Sequence, residues 1–560
     1  MNGADAAASL AAARDWLAQD PDPQTRAELA ALIASADAGD AAASADLAGR
    51  FGTRLAFGTA GLRGALGAGS NRMNRVLVAQ AAAGLAAYLR ERADDGAAPS
   101  VVIGYDGRRN SDVFARDSAE IFAGAGLRAI LLPRLLPTPV LAFAVRHLGA
   151  DAGVMVTASH NPPEDNGYKV YLGGAHQGAQ IVSPSDAEIA AHIERVATTE
   201  RVPLLPRSTG YETAPESVVE AYARATAAVA PAPAGADALR WVYTAMHGVG
   251  WETLSRIVEG AGYPAPHPVE AQLHPDASFP TVSFPNPEEP GAMDLALEEA
   301  RRVRADLVLA NDPDADRLAV AVPMDAEGGY RVLSGNEVGL LLGWRAARAA
   351  RDAGAAAGAS LACSLVSSPG LGEIARHYGL DFHETLTGFK WISRAPGIVF
   401  GFEEALGYLV NPETVRDKDG ISAAVAVLGL AAAARAEGSS LAGMLDELAS
   451  RFGHFRSGQV SVRVTDLRII ADVMARLRAQ PPSEFGGVGI LRADDLLRPT
   501  DGMVPGDVLR YTLDDGSRVI VRPSGTEPKL KIYLDVRGDS AEDAAGRLAR
   551  LEEAARALVS

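Results

Sequence analysis

The chain is short of cysteine: Cys363 stands alone among 560 residues, so no intrachain disulfide can form and a reducing, cytoplasmic compartment is the expected setting. It also lacks a long apolar run. The longest, Ala423 to Ala434, is closed by Arg435 and falls short of the ~20 residues that span a bilayer, so it reads as a buried helix. No basic residue precedes Arg14 and no apolar segment with a cleavage-like end follows, so a secretory signal is not expected. Positive charge is scarce too. A formal charge of −17 argues against nucleic acid or an anionic membrane as a partner, since neither is attracted at long range. An anionic ligand must then be captured locally, by basic residues beside glycine-rich loops.

What is present is the balance of a folded soluble protein, 48% hydrophobic and 22% charged. The length suggests three to five domains at roughly 100–200 residues each. Residues 1–50 read as an N-terminal helical extension, with helical spacing at Leu29, Leu32 and Ile33. From 51 to 208, short apolar strands (Val101–Ile103, Ala129–Leu132, Val154–Val156) alternate with helix-like stretches such as Val113–Ala123. A second α/β segment, 209–325, opens on the strand-like Trp241–Thr244 and closes with Leu307–Ala310 and Leu318–Val322. A third, 326–453, carries helix-like Glu337–Arg348 and Ser422–Arg435 and strand-like Leu361–Val366 and Ile398–Phe400. Residues 454–560 differ, with four strand-like runs before a helix from about Ala541. The expected fold class is therefore α/β: three successive mixed α/β domains, whose similar lengths invite the idea of an ancient triplication, followed by an α+β domain.

Six segments carry the chemistry. Val154-Met-Val-Thr-Ala-Ser-His-Asn-Pro-Pro runs an apolar strand into a polar turn, which puts Ser159 and His160 at a strand end, where open α/β sheets bind ligands and a serine can act as nucleophile. A turn held by local hydrogen bonds is the competing reading. A hydrolase elbow is disfavoured because Thr157 and Asn161 occupy its glycine positions. Lys169, ten residues on, is a candidate for proton transfer or phosphate contact, with a surface lysine as the default. Asp312-Pro-Asp-Ala-Asp-Arg follows a buried strand; Pro313 prevents a helix, so Asp312, Asp314 and Asp316 can converge on a hard cation. An EF-hand is excluded by Arg317 and Pro323, and Mg²⁺ suits carboxylates that share it with a phosphate.

Arg522-Pro-Ser-Gly-Thr-Glu-Pro-Lys has an arginine, two hydroxyls and a glycine, the makings of a phosphate cradle to which Lys529 or Lys531 adds charge. Phe57-Gly-Thr-Ala-Gly-Leu-Arg-Gly is glycine-rich with Arg63 as its one charge, and lacks a P-loop ending. Thr387-Gly-Phe-Lys and Gly401-Phe-Glu-Glu are the last two; paired carboxylates suit sugar hydroxyls, though glutamates at a helix N-terminus explain them equally well.

Together these segments resemble the α-D-phosphohexomutase superfamily over nearly the whole chain after about residue 50. Thr157-Ala-Ser-His-Asn-Pro is similar to its phosphoserine loop, Asp312-Pro-Asp-Ala-Asp-Arg to its metal loop, Gly401-Phe-Glu-Glu to its sugar-binding loop and Arg522-Pro-Ser-Gly-Thr-Glu-Pro to its phosphate-binding loop. The Phe57 and Pro162 segments and the N-terminal extension look most like the phosphoglucomutase-2 and phosphopentomutase branch.

The resemblance implies a four-domain phosphosugar mutase in which Ser159 carries the phosphoryl group and Mg²⁺ is held by Ser159, Asp312, Asp314 and Asp316. It implies catalytic roles for His160, Arg63 and Lys169, with Lys418 as a rival for proton transfer. Arg317, Thr387, Gly388 and Lys390 would face substrate, and Glu403 and Glu404 would hold sugar hydroxyls. Arg522, Ser524, Gly525 and Thr526 would grip the phosphate that is not reacting. The implied reaction interconverts glucose 1-phosphate and glucose 6-phosphate through glucose 1,6-bisphosphate, in a monomer or homodimer. Ala405 stands where muscle-type phosphoglucomutases carry a sugar-contacting serine, which leaves mannose and pentose phosphates open as substrates. A phosphatase with Asp312 as nucleophile and a non-enzymatic phosphosugar sensor are the remote alternatives.

Overall fold

The computed structural model of the chain describes residues 3–59, 61–93, 97–324, 329–464, 467–499, 503–523 and 529–558. Three helices, Gly3–Leu17, Pro23–Asp37 and Ala41–Phe51, form the N-terminal extension. Asp22 and Asp40 cap the second and third by accepting from the backbone amides of Gln24 and of Ala42 and Ala43, and Pro23 sits at the first helical position, where its missing N–H costs nothing. The extension is packed rather than appended. Trp16, Leu29, Ile33 and Leu47 are buried in the same core as Leu77, Leu85 and Phe122, whereas Leu32 is half-buried at its edge.

The chain divides into two compact units, one made of the residues up to Arg331 together with Asn411–Gly429, the other of Val332–Val410 and the residues from Leu430 on. In the first unit, a mixed sheet runs in the order Leu62–Ala65, Asp165–Leu172, Ala152–Val156, Ser100–Tyr105, Arg128–Leu131, Glu212–Thr213. Its central strands are parallel and buried on both faces, as crossover helices require. Ala152–Val156 then turns back as the antiparallel strand Asp165–Leu172, pairing Val156 with Tyr168 and Met155 with Lys169. A second sheet repeats this arrangement: Leu307–Asn311 lies parallel to Trp241–Thr244 and returns antiparallel as Leu318–Pro323.

The second unit holds a third version, with Ser360–Ser364 parallel to Asp381–Thr385 and Ile398–Glu403, and Ile398–Glu403 returning as Gly407–Leu409. An antiparallel return needs only a short loop, where a parallel one needs a crossover. The three short loops made this way carry Ser159, the three aspartates, and Glu403 with Glu404. The last sheet is antiparallel throughout, in the order His454–Arg463, Lys529–Gly538, Arg518–Pro523, Leu509–Leu513, Val488–Asp495, Glu484–Phe485. Its core also takes in Ala544, Leu551 and Ala555 of the helix Ala541–Leu558, the expected α+β arrangement. The apolar run after Ala423 forms the helix Gly420–Ala436, and no single described helix is long and apolar enough to cross a membrane.

Trp16 is 6% exposed and meets Phe51 edge-on at 6.0 Å. Trp16→Ala is expected to destabilise the protein by about 3 kcal/mol, within the range for deleting a buried aromatic ring. Urea unfolding checks this, and a change under 1 kcal/mol would show the helices to be a mere appendage.

Candidate active site

The strand Ala152–Val156 is buried along its length and ends at Thr157, whose hydroxyl accepts from the Ser159 amide at 2.8 Å. The chain turns there with Ser159 at φ 52, in the left-handed region. The turn directs the Ser159 hydroxyl to the Asp312 carboxylate, to which it donates at 2.8 Å, and brings it within 3.2 Å of His160 Nδ1.

Asp312, Asp314 and Asp316 are fully buried, and each presents a carboxylate oxygen within 4.8 Å of the others. Ala315, at φ 55 with its amide on the Asp312 carbonyl, closes the turn that gathers them. The outer oxygens are occupied. Asp314 Oδ2 accepts from the Thr138 hydroxyl at 2.6 Å and Lys169 Nζ at 2.7 Å, while Asp316 Oδ2 takes Lys169 at 2.9 Å and lies 3.4 Å from Lys418 Nζ. Asp312 Oδ1 accepts from the Arg317 amide at 2.9 Å. Asp314 Oδ1 and Asp316 Oδ1 are buried without a hydrogen-bond partner.

The charges are out of balance. Burial, with the negative charges of Asp314 and Asp316 beside it, pushes the Asp312 carboxyl well above the usual carboxylate range. Burial acts on Asp314 in the same direction, but the Lys169 charge and hydrogen bond overcome it and hold Asp314 below that range. Asp316 is also depressed: Lys169, Lys418 and Arg317 outweigh its burial and the nearby Asp314. Two orphaned carboxylate oxygens and a third carboxyl driven towards protonation describe a cluster short of positive charge. A small, hard, oxygen-binding divalent cation such as Mg²⁺ fits that donor set. Burial, reinforced by Arg317 and Arg63, keeps the His160 imidazole far below its ordinary value and therefore neutral.

Arg63 rides on the edge strand Leu62–Ala65, beside the Ser159 hairpin, and donates to the Asn161 side chain at 3.2 Å. That strand can dock only because residue 61 is glycine: it adopts φ 74, and a Cβ there would stand 1.8 Å from the Tyr168 carbonyl oxygen. Lys169 is not the surface lysine of the default reading. The buried antiparallel strand Asp165–Leu172, masked in sequence by its polar start, carries it inward to Asp314 and Asp316. Lys418 reaches Asp316 because Asn411–Gly429 folds with the first unit.

In the second unit Glu403 ends its strand and Glu404 follows in the turn, so neither lies at a helix N-terminus. Glu404 Oε2 accepts from the hydroxyls of Ser364 and Ser367, each at 3.1 Å. Gly388, at φ 107, precedes the one-turn helix Phe389–Ile392 that carries Lys390. The Arg522 guanidinium donates to the Thr387 hydroxyl, so two predicted motifs meet. Ser524, Gly525 and Thr526 lie outside the described residues.

Sequence reasoning passed over Thr138 and Arg108. Thr138 holds Asp314 through its hydroxyl and, at 2.9 Å, through its amide to the Asp314 carbonyl. Arg108 binds carbonyls of the Ser159 loop. A signal existed for the second, since Tyr105-Asp-Gly-Arg places charges directly after an apolar strand.

The chain matches four consecutive descriptions, "Phosphoglucomutase/phosphomannomutase, alpha/beta/alpha domain I" over residues 54–200, domain II over 220–325, domain III over 334–452 and the C-terminal domain over 460–553. It is 55% identical to a probable phosphomannomutase of Haemophilus influenzae across 87% of this chain and 98% of that protein. It is 34% identical to the mouse (Mus musculus) phosphopentomutase, across 93% and 89%. A phosphoglucomutase of Staphylococcus aureus strain MRSA252 is 32% identical across 89% and 92%.

Saturating Mg²⁺ at about one hundred times its Kd is expected to stabilise the protein by about 2.7 kcal/mol, read as a rise in Tm over the chelator-treated protein. Asp314→Ala is expected to lose that rise, and a rise of wild-type size in the variant would remove Asp314 from the metal site.

Proposed function

Because the chain belongs to the phosphoglucomutase/phosphomannomutase family, whose members are isomerase-class phosphosugar mutases, we propose that it interconverts glucose 1-phosphate and glucose 6-phosphate by way of a phosphorylated Ser159. The observation that carries this reading is the Ser159 hydroxyl 2.8 Å from Asp312, inside a buried carboxylate cluster in which two oxygens have no hydrogen bond.

In the first half-reaction the free hydroxyl of the sugar monophosphate attacks the phosphorus on Ser159. The new sugar P–O bond forms, the Ser159 Oγ–P bond breaks, and the hydroxyl proton ends on Ser159 Oγ. The product is glucose 1,6-bisphosphate. It turns over in the site, and its other phosphoryl group returns to Ser159 by the reverse step. Asp312, Asp314, Asp316 and Ser159 would hold Mg²⁺, which when bound would supply positive charge for the transferring group.

The chain's own residues supply the rest. Arg63 and Arg317 present fixed charge to the equatorial oxygens of that group. His160, neutral and 3.2 Å from Oγ, relays the proton at Nδ1, with Lys169 and Lys418 as the alternative carriers. Glu403 and Glu404 receive sugar hydroxyls, while Thr387, Gly388 and Lys390 complete the substrate-facing surface. Arg522, with Ser524, Gly525 and Thr526, grips the phosphate that is not reacting. A cytoplasmic setting agrees with the single cysteine.

Mannose phosphate is the second reading, favoured by the likeness to the Haemophilus influenzae protein, and the mouse relative favours a pentose phosphate. Comparing kcat/KM on glucose 1-phosphate, mannose 1-phosphate and ribose 1-phosphate decides among them. Glucose is expected to lead by at least about tenfold, a difference of 1.4 kcal/mol in transition-state binding. Mass spectrometry after incubation with glucose 1,6-bisphosphate is expected to place phosphate on Ser159. Phosphate on Asp312 would instead make the protein a phosphatase, and on neither a sensor. Ser159→Ala is expected to lower turnover by at least about a thousandfold while the protein stays folded, because the group carrier is gone; substantial activity in that variant refutes the mechanism.

A further inference from the structure

Arg108 follows the strand Ser100–Tyr105, with its side chain 1% exposed. Its guanidinium donates to four carbonyls of one loop. Nη2 reaches the carbonyl oxygens of Ser159 and Asn161, each at 2.6 Å, and Nη1 those of Pro162 at 2.8 Å and Asp165 at 3.2 Å. Asp106 lies 3.6 Å from Nε, and the Phe279 ring lies beneath the guanidinium carbon at 5.1 Å.

This loop needs an outside donor. Pro162 and Pro163 have no N–H, so the segment has few donors of its own: the Asp165 amide reaches the Pro162 carbonyl at 3.1 Å, and Arg108 meets that carbonyl together with those of Ser159, Asn161 and Asp165. One planar fork with five N–H donors can serve four carbonyls at once, which an ammonium group with three donors cannot. The fork also orients the peptide planes. With the Ser159 carbonyl turned to Arg108, the His160 N–H of the same trans peptide points the opposite way. Ser159 itself is held at φ 52, a left-handed conformation that is unfavourable for a non-glycine residue and persists only where its surroundings impose it. Burying a cation is costly as well, so Arg108 makes poor sense as a device for stability alone.

We propose that Arg108 is the positioning residue of the Ser159 loop, a clamp on four carbonyls that holds Ser159 in its left-handed turn and aims Oγ at Asp312 and His160. It sets the rate of both phosphoryl transfers without touching the sugar. This rests on the reading of Ser159 as the phosphoryl carrier.

The test uses the full-length, Mg²⁺-loaded enzyme with Arg108→Lys and Arg108→Met. Arg108→Lys keeps the charge and loses the fork. Its single-turnover rate of phosphoryl transfer from Ser159 to glucose 1-phosphate, per phosphorylated molecule, is expected to fall about 10- to 100-fold, the scale of a misplacement near 1 Å. KM is expected to stay within about threefold, because the clamp does not bind substrate. Hydrogen exchange at the amides of residues 157–166 is expected to quicken. A single-turnover rate within twofold of wild type overturns the proposal, as does a loss of activity fully explained by a smaller folded fraction. If Arg108→Met does not fold, Arg108→Lys decides alone. Wild-type enzyme that never acquires phosphate on Ser159 would defeat the proposed function instead, before Arg108 is in question.

Discussion

Three carboxylates packed within 4.8 Å of one another, with no solvent around them, repel strongly enough that the surrounding structure must answer them. Much of the first unit's interior serves that end. Lys169 arrives on one strand to meet Asp314 and Asp316, Lys418 arrives from a distant segment at Asp316, and Thr138 donates from the start of a helix. The balance is left incomplete. Two oxygens have no hydrogen bond and Asp312 is pushed towards protonation, which is the electrostatic demand a divalent cation meets.

The same architectural device serves three loops. In each of three sheets a buried strand leaves a parallel neighbour and returns at once as an antiparallel one, and the short turn between carries the polar residues. Such a turn is anchored by ladder hydrogen bonds on both sides, so its side chains are held by sheet rather than by a long mobile loop. The recurrence gives physical content to the suspicion, raised by three successive α/β units of similar length, that the chain grew by copying one unit. The fourth sheet uses an antiparallel hairpin again, with Arg522 at its rim next to Thr387.

Element types were legible because their periodicity was strong. Apolar runs such as Leu307–Ala310 and Trp241–Thr244 became buried strands, and the run after Ala423 became a helix. The motif residues were legible because their chemistry is unusual at that spacing: three aspartates at alternate positions after a strand have few purposes besides a cation. The strand Asp165–Leu172 was hidden, because its first residues are Asp, Asn and Gly, which mark turns. With the strand hidden, the burial of Lys169 was hidden too. The contacts of Glu404 within the fold were hidden as well, because Ser364 and Ser367, whose hydroxyls donate to its carboxylate, lie about forty positions before it.

The order of residues along the chain was enough to place Ser159 at a strand end, to gather Asp312, Asp314 and Asp316 into one turn, and to mark four α/β or α+β segments, because each depends on neighbours within about ten positions. It could not establish that Ser159 points at Asp312, 153 positions away, or that Lys418 and Lys169 share Asp316. Those are decisions of packing between elements, made where burial forces every charge and carbonyl to find a partner. Arg108 is the clearest case. Its sequence neighbourhood shows a charged turn, and only the folded loop, with its two prolines and its converging carbonyls, gives the guanidinium its place.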